Sequence, residues 1–361
     1  MNVTATNEPC MILETVELLY AFINELPAGE LTAPGPYTIP SSELQHMLAS
    51  ATEGISRQDP AMQFFFLKEP LQDGSGLFTC LARAVVYNTM DFSCKTLGAS
   101  FDSLRRNWQE LRQRGEHISA IGEFGMDYME QEDRSFVPLS VDLERLEVTP
   151  EYRQKLLEVF SGFETYTAIL EKMLEPVATR LEALLRPWAL QAEPLARSWE
   201  ARYREGNAVE ILQKRACCNA GSSVEALFIN LRYLQPTAAP GVLDDEARTV
   251  FFHTGVAQET ERKEPLDFED WEYHALRLLG SPARMRMLQA MAEKPMSSRE
   301  MAQQLDLHLG AVGRDVKSLF DARLLLLESV QGRNRYKTNF ASIETIMQHL
   351  KSLQKKGSNE S

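Results

Sequence analysis

The stretch from Ser297 to Leu319, SSREMAQQLDLHLGAVGRDVKSL, constrains the fold of this chain more than any other segment. Ser297 lies three residues before Glu300, which is the spacing of a capping box at the start of a helix. Asp306 follows in a short break, and aspartate is among the few residues other than glycine that tolerate positive φ. Beyond the break, apolar residues recur at helical spacings: Val312, Val316 and Leu319. The segment therefore predicts two short amphipathic helices joined by a tight turn.

A basic strand pair is predicted directly after the second helix, in LLLLESVQGRNRYKTN from Leu324 to Asn339. Arg333, Arg335 and Lys337 occupy alternate positions, so they are expected on one face of a strand. On an isolated hairpin such cations would be a solvated charged surface. After two helices in this order, we expect them to contact the sugar-phosphate backbone or the minor groove of duplex DNA.

The second helix is predicted to enter the major groove, because its apolar residues leave small and basic residues on the outward face. The small residues Gly310, Ala311 and Gly313 would let the helix backbone approach base edges. Arg314 would reach guanine or a phosphate, and Lys317 a phosphate. The complete predicted DNA-binding set is Ser298, His308, Gly310, Ala311, Gly313, Arg314, Lys317, Arg333, Asn334, Arg335 and Lys337.

The distribution of charge favours a nucleic-acid partner for one end of the chain only. The whole sequence has a net charge of −13. Residues 273–361 contain 14 Lys and Arg against 8 Asp and Glu, whereas the remaining residues contain 24 against 43. A basic module on an acidic body is expected where one part meets phosphates and the other is repelled by them.

Residues 275–339 resemble the winged helix of the ArsR family of bacterial transcriptional regulators, through LGSPARMRMLQAMAEKPMSSREMAQQL and LHLGAVGRDVKSLFDARLLLLESVQGRNRYKTN. The resemblance implies a homodimer that places two recognition helices in successive major grooves of a near-palindromic operator. It also favours a repressor. The size and aromatic content of the N-terminal region suggest that a non-metal effector or a partner protein exerts control there. Three residues depart from the family's pattern. Gly313 and Asp315 stand where Ser and His are frequent, and Arg323 replaces the usual Gly after the recognition helix.

Metal sensing is not expected at the places that many members of this family use. Residues 273–361 contain no cysteine, and the final predicted helix offers only His349, whereas a tetrahedral site needs about four ligands. We therefore predict no metal and no cofactor. The apolar stripe of the final helix is predicted to be a dimerisation or packing face: Ile343, Ile346, Met347, Leu350 and Leu353.

The whole chain is predicted to be mainly α-helical with a small antiparallel sheet, an α+β fold ending in a winged helix-turn-helix. Residues 11–27 are ambiguous, with a strand favoured over a helix. Within 150–205, Pro176, Pro187 and Pro194 must kink or end helices. Other helices are expected over about 41–55, from Asp59-Pro60 onward and over 100–114. The strands are expected within 209–215, 225–234 and 248–253.

Four segments are predicted. Residues 1–256 form a sensor or assembly domain, and residues 257–272 form a linker rich in acidic residues. Residues 273–340 form the winged helix-turn-helix, and residues 341–355 form a C-terminal dimerisation or packing helix. A ligand bound between the helices of 150–205 and the sheet after them would bias two dimer arrangements.

The spacing of the cysteines and the N-terminal sequence predict a cytoplasmic protein that is not inserted in a membrane. The five cysteines show no C-x-x-C spacing, and the N-terminus lacks the basic region of a signal peptide. No segment approaches the roughly 18 uncharged apolar residues that a membrane helix needs. The adjacent Cys217 and Cys218 are open to two interpretations, a thiol sensor or small buried residues.

Two alternative functions remain open, an enzyme or a scaffold that uses the winged helix for protein contacts. The enzyme is disfavoured because the sequence contains no H-E-x-x-H, G-x-S-x-G or P-loop motif. His253 is the residue that could act as a base, but a packed histidine in a strand is commoner. A protein-binding module would not need the cations of the hairpin.

Overall fold

The computed structural model describes residues 2–72, 78–89, 93–114, 138–144, 146, 148–205, 224–238, 241–244, 248–258, 268–330 and 333–357. The fold is mostly helical and of α+β type, as the sequence predicts. Buried apolar side chains form two clusters, one drawn from residues 3–256 and the other from residues 275–346. Within the described ranges, no helix has the length and apolarity needed to cross a bilayer.

The helices around the first cluster follow in part the predicted boundaries. Asp59 caps one of them, because its carboxylate accepts a hydrogen bond from the backbone N–H of Ala61 at 2.8 Å. Pro60 is the first residue of that helix, as predicted. The helices are α1 (Met11–Ile23), α2 (Ser41–Ala51), α3 (Pro60–Phe66), α4 (Leu81–Thr89), α5 (Leu97–Arg114), α6 (Leu139–Leu143), α7 (Pro150–Ser161), α8 (Phe163–Gln191) and α9 (Glu193–Glu205).

The internal prolines do not end the longest of these helices. Pro176 and Pro187 both lie inside α8, which continues through them. Pro194 is the second residue of α9, where the missing backbone N–H costs no intrahelical hydrogen bond.

The strand predicted over residues 11–27 is wrong, because Met11–Ile23 is the helix α1. Nearly every residue of α1 is buried, including Glu14 and Glu17. The two carboxylates pair with Arg232 and Arg83 inside the protein. A helix buried on all sides shows no clear apolar stripe, so its sequence lacked the periodicity that identifies a surface helix.

The main sheet is mixed rather than antiparallel as predicted. Its strands are, in spatial order, β1 (Asn2–Thr6), β4 (Ala226–Arg232), β6 (Thr249–Gly255) and β5 (Gly241–Asp244), and β4 runs parallel to both β1 and β6. The successive strands β4, β5 and β6 do alternate in direction, but β5 pairs with the side of β6 that faces away from β4. That spatial order brings two strands of the same direction together. The other described strands are β2 (Glu69–Pro70), β3 (Phe78–Thr79), β7 (Leu325–Val330) and β8 (Arg333–Thr338).

Helix α9 covers one face of this sheet with aromatic side chains. Trp199 and Tyr203 are buried and meet the ring of Phe252 at centroid distances of 5.9 and 6.1 Å. This contact lies between a helix of 150–205 and the sheet, where we predicted a ligand. The aromatic rings of α9 and β6 pack directly against each other there. The predicted strand at 209–215 and the pair Cys217–Cys218 lie outside the described residues.

The second cluster is formed by the C-terminal helices and hairpin. The helices are α10 (Asp270–Leu279), α11 (Pro282–Glu293), α12 (Ser298–Leu305), α13 (Leu309–Asp321) and α14 (Phe340–Gly357). Strands β7 and β8 form an antiparallel hairpin between α13 and α14. Most of the predicted acidic linker lies outside the described residues, and its last three residues, 270–272, belong to α10.

Candidate nucleic-acid interface

The start of α12 is fixed by the capping box that the sequence predicts. The hydroxyl of Ser297 accepts a hydrogen bond from the Glu300 N–H at 3.2 Å. The Glu300 carboxylate accepts in return from the Ser297 N–H at 2.9 Å. Two N–H groups that a helix start leaves without partners are thereby satisfied.

A left-handed residue makes the turn between α12 and α13. Asp306 has φ 52° and ψ 52°, the conformation that we expected an aspartate to tolerate in this break. The N–H of the next residue, Leu307, bonds back to the carbonyl of Ala302 at 2.9 Å. Residues 306–308 connect the two helices, and α13 begins after His308.

Helix α13 has one buried face and one exposed face. Val312, Val316 and Leu319 are 0%, 2% and 0% exposed, which confirms that they point inward. On the other side, His308, Gly310 and Arg314 are exposed, while Ala311, Gly313 and Lys317 are partly exposed. A Cβ added at Gly313 would meet no atom within 4 Å, so this glycine leaves open space on the outer face.

Asp315 does not present an uncompensated negative charge beside this face. Its carboxylate accepts from the Arg284 guanidinium of α11 at 2.8 Å, and both side chains are about a quarter exposed. The pair links α11 to α13 across 31 positions of sequence. Local sequence patterns contain no signal for a partner at that separation.

The end of α13 adopts a geometry that usually requires glycine. Arg323 has φ 59°, and its N–H bonds to the carbonyl of Phe320 at 2.8 Å. The N–H of Leu324 bonds to the carbonyl of Leu319 at 2.9 Å, which completes a Schellman motif. The Arg323 guanidinium lies 5.3 Å from the centre of the Trp271 ring, and this cation–π contact partly offsets the strain.

The hairpin is attached to the start of α12 through its backbone. Met296 and Tyr336 exchange two backbone hydrogen bonds of 2.9 and 2.8 Å. The Tyr336 side chain is buried and meets the ring of Phe320 edge-on. The strand therefore has a defined position relative to both helices of the turn.

Arg335 is not a free cation of the hairpin surface. Its guanidinium donates to the Glu300 carboxylate at 2.7 Å and to the Pro295 carbonyl at 3.4 Å. Burial raises the pKa of Glu300, but hydrogen bonds from Ser297 and the charges of Arg335 and Lys294 outweigh it and lower that pKa. Arg335 thus joins the hairpin to α12, a structural role that its sequence position did not reveal.

The structure brings most of the predicted DNA-binding residues to one side of α13 and to β8. Ser298 is an exception, because it is 8% exposed and its side chain belongs to the interior of the module. Lys337 is partly exposed on the strand face that it shares with Arg335. The side chains of Arg333 and Asn334 lie outside the described part of the chain.

Comparison with known proteins finds a family model that matches part of the chain. A protein-family model called HVO_A0114 matches residues 279–345. No curated protein and no solved structure matches the chain. The matched range runs from the end of α10 into α14 and so contains the turn, α13 and the hairpin.

The apolar residues of α14 divide between the interior and the surface. Ile346 is buried in the second cluster, as expected of a packing helix. Phe340, Met347 and Leu350 are 57%, 48% and 42% exposed. In the middle of α14, the His349 imidazole forms a hydrogen bond of 2.6 Å with the buried Glu272 carboxylate of α10.

Proposed function

We propose that the protein is a sequence-specific, DNA-binding transcriptional regulator of ArsR type, in which α13 enters the major groove. The observation that carries this proposal is the outer face of α13, where Arg314 projects beside Gly310 and Gly313. The absence of bulky side chains at these glycines lets the helix backbone approach base edges. The guanidinium then reaches guanine O6 and N7, or a phosphate.

The hairpin supports the same proposal through its fixed position. Because the backbone of β8 is bonded to Met296, Lys337 is held in a defined relation to α13. A cation placed in this way contacts the sugar-phosphate backbone without reading sequence. The ion pair of Asp315 with Arg284 removes the main electrostatic objection to DNA at this surface.

A homodimer on a near-palindromic operator follows from the family that the sequence resembles. The exposed residues Phe340, Met347 and Leu350 of α14 supply an apolar surface suited to a second copy. Two α13 helices would then meet half-sites about one helical turn, roughly 10 base pairs, apart. In this proposal the protein represses transcription, and a non-metal effector at residues 1–256 controls release.

The experiment measures binding of the full chain to duplex DNA. Selection from a pool of random duplexes is expected to enrich an inverted repeat. Fluorescence anisotropy on that repeat then compares wild type with Arg314→Ala. Loss of a base-edge contact costs about 1–3 kcal/mol of binding free energy in each half-site, so Kd should rise by at least roughly 5-fold.

Arg186→Ala is the matched control, because Arg186 is an exposed arginine of α8 and its replacement changes net charge equally. We expect its Kd to equal that of wild type. Thermal unfolding of both variants establishes that neither loses its fold. The proposal fails if no sequence is enriched, or if Arg314→Ala binds as tightly as Arg186→Ala.

A further inference from the structure

The carboxyl ends of the parallel strands gather polar residues on one face of the main sheet. Thr6 of β1 pairs with Asn230 of β4, and Asn230 pairs with His253 of β6. Residues paired across parallel strands project from the same face, opposite to the face that α9 covers. In open sheets with parallel strands, ligands bind at the carboxyl ends of those strands.

Two positively charged side chains, Arg232 and Lys95, lie at these carboxyl ends of the strands. Arg232 follows Asn230 by two residues on β4, and its side chain is 0% exposed. The ammonium of Lys95, which belongs to the segment before α5, donates a hydrogen bond to the Asn230 side-chain oxygen. His253 is buried beside them, and burial together with the charges of Arg232 and Lys95 lowers its pKa well below the usual value.

The carboxylate that pairs with Arg232 already accepts hydrogen bonds from Arg232 and from two backbone N–H groups. Glu14 of α1 accepts from Arg232 Nε at 3.0 Å and from the backbone N–H groups of Tyr233 and Leu234 at 3.2 and 2.9 Å. The negative charge of Glu14 therefore offsets the positive charge of Arg232. The charge of Lys95 is left without a carboxylate at ion-pair distance among the described residues, since Glu8 acts on it only at longer range.

A buried donor at the same place has no acceptor within the described part of the chain. Asn230 is 1% exposed, and its side-chain N–H₂ group has no hydrogen-bond partner among the described residues, although its oxygen is engaged by Lys95. Such a donor is costly unless an acceptor reaches it. Burial also lowers the pKa of Lys95, and Glu8 and the thiols of Cys10 and Cys94 offset this effect only in part.

The first turn of α1 lies against the same segment. The Cys10 thiol, at the N-cap of α1, contacts the carbonyl of Cys94 at 3.7 Å, next to Lys95 in sequence. Among the residues that the structure describes, no side-chain hydrogen bond caps this helix start. The backbone N–H groups of a helix N-terminus attract negative charge, so they add to the attraction exerted by Lys95.

We propose that this edge of the sheet binds the oxyanion of a small ligand, either a carboxylate or a phosphate group. The oxygen atoms accept from Lys95 Nζ and Asn230 Nδ2, and the start of α1 adds favourable electrostatic potential. The bound anion supplies both the missing charge and the missing acceptor. Its use as the effector that controls DNA affinity rests on the proposed function, whereas binding itself does not.

The test uses the full chain without DNA and two separate probes, inorganic phosphate and succinate, each matched in ionic strength with sodium chloride. Isothermal titration and thermal unfolding are the measurements. We expect a saturable rise in Tm with phosphate, succinate or both, and none with chloride. The probe that binds more tightly assigns the anion as a phosphate or a carboxylate.

Two variants locate the site. Lys95→Met is expected to raise the Kd of the bound probe at least tenfold. Asn230→Asp places a carboxylate beside Lys95, so it should abolish the response while leaving Tm no lower than that of wild type without anion. Lys172→Met, at an exposed position of α8, is the charge-matched control and should bind as wild type.

The proposal is overturned if neither probe gives a saturable response, or if Lys95→Met binds as tightly as Lys172→Met. Because no DNA is present, failure of the Arg314 experiment leaves this result standing. Conversely, if saturating anion leaves the Kd for the selected operator unchanged, only the proposed effector role of the anion is refuted.

Discussion

Replacing Glu14 with glutamine is expected to destabilise the N-terminal cluster severely. The side chains of Glu14 and Arg232 are both 0% exposed, so the variant leaves a buried guanidinium without its counter-charge. Removing one partner of such a pair costs about 3–5 kcal/mol. The three donors that now converge on the carboxylate would also compete for a single amide oxygen. Against a typical total of about 5–15 kcal/mol, this loss is a large fraction.

Urea unfolding followed by tryptophan fluorescence measures this loss. Three of the four tryptophans lie in the first cluster or pack against it, at Trp108, Trp188 and Trp199. A Trp271→Phe background removes the fourth, so the signal reports on that cluster alone. We expect a lower urea midpoint with an unchanged m value, since the surface exposed on unfolding stays the same.

Two further variants decide whether the cause is the unpaired charge. Glu14→Gln combined with Arg232→Met should be more stable than Glu14→Gln alone, because no uncompensated charge remains buried. Glu225→Gln breaks an exposed pair with Arg248 and should cost less than about 1 kcal/mol. The reasoning is refuted if Glu14→Gln costs less than about 1 kcal/mol, or if the double variant is no more stable than the single one.

Three shorter predictions concern particular contacts. Because the pKa of Glu300 is lowered in the fold, its stabilisation is present above the ordinary pKa and is lost as pH falls through the folded value. Glu300→Gln should therefore flatten the acid side of a Tm-against-pH curve below about pH 4.5. Val316→Ala should cost about 1–3 kcal/mol in urea unfolding, because Val316 is 2% exposed in the second cluster; a loss near zero would contradict that burial. Gly255→Ala should lower Tm, since the new Cβ would lie 2.0 Å from the Pro236 carbonyl oxygen, and an unchanged Tm would show that the strand end moves freely.

Local signals made the C-terminal helices and turn predictable from sequence. The capping box of Ser297, the left-handed Asp306 and the inward face through Val312 each depend on residues within one or two turns. Such interactions leave a pattern in the sequence at fixed spacing. The predicted interface on α13 followed from the same spacing.

Long-range pairing explains what the sequence did not reveal. The pairs Arg335–Glu300 and Arg284–Asp315 join residues 35 and 31 positions apart, and no spacing rule connects them. Helix α1 was missed for a related reason. Its carboxylates are satisfied by Arg83 and Arg232, at separations of 66 and 218 positions, so acidic residues that suggest a surface are in fact internal.

These pairs also change what net charge says about DNA binding. Arg335 contributes to the excess of positive charge in residues 273–361, but its guanidinium forms an ion pair with Glu300. The salt dependence of DNA affinity counts cations that neutralise phosphates, at about 0.9 in the log–log slope for each contact. Under the proposed function, Lys337→Ala should therefore reduce the slope by roughly 1.8 for the proposed dimer, whereas Arg335→Ala should lower Tm and leave the slope nearly unchanged. If Arg335→Ala reduces the slope as much as Lys337→Ala, measured by anisotropy between about 50 and 200 mM salt, Arg335 leaves Glu300 and contacts the DNA.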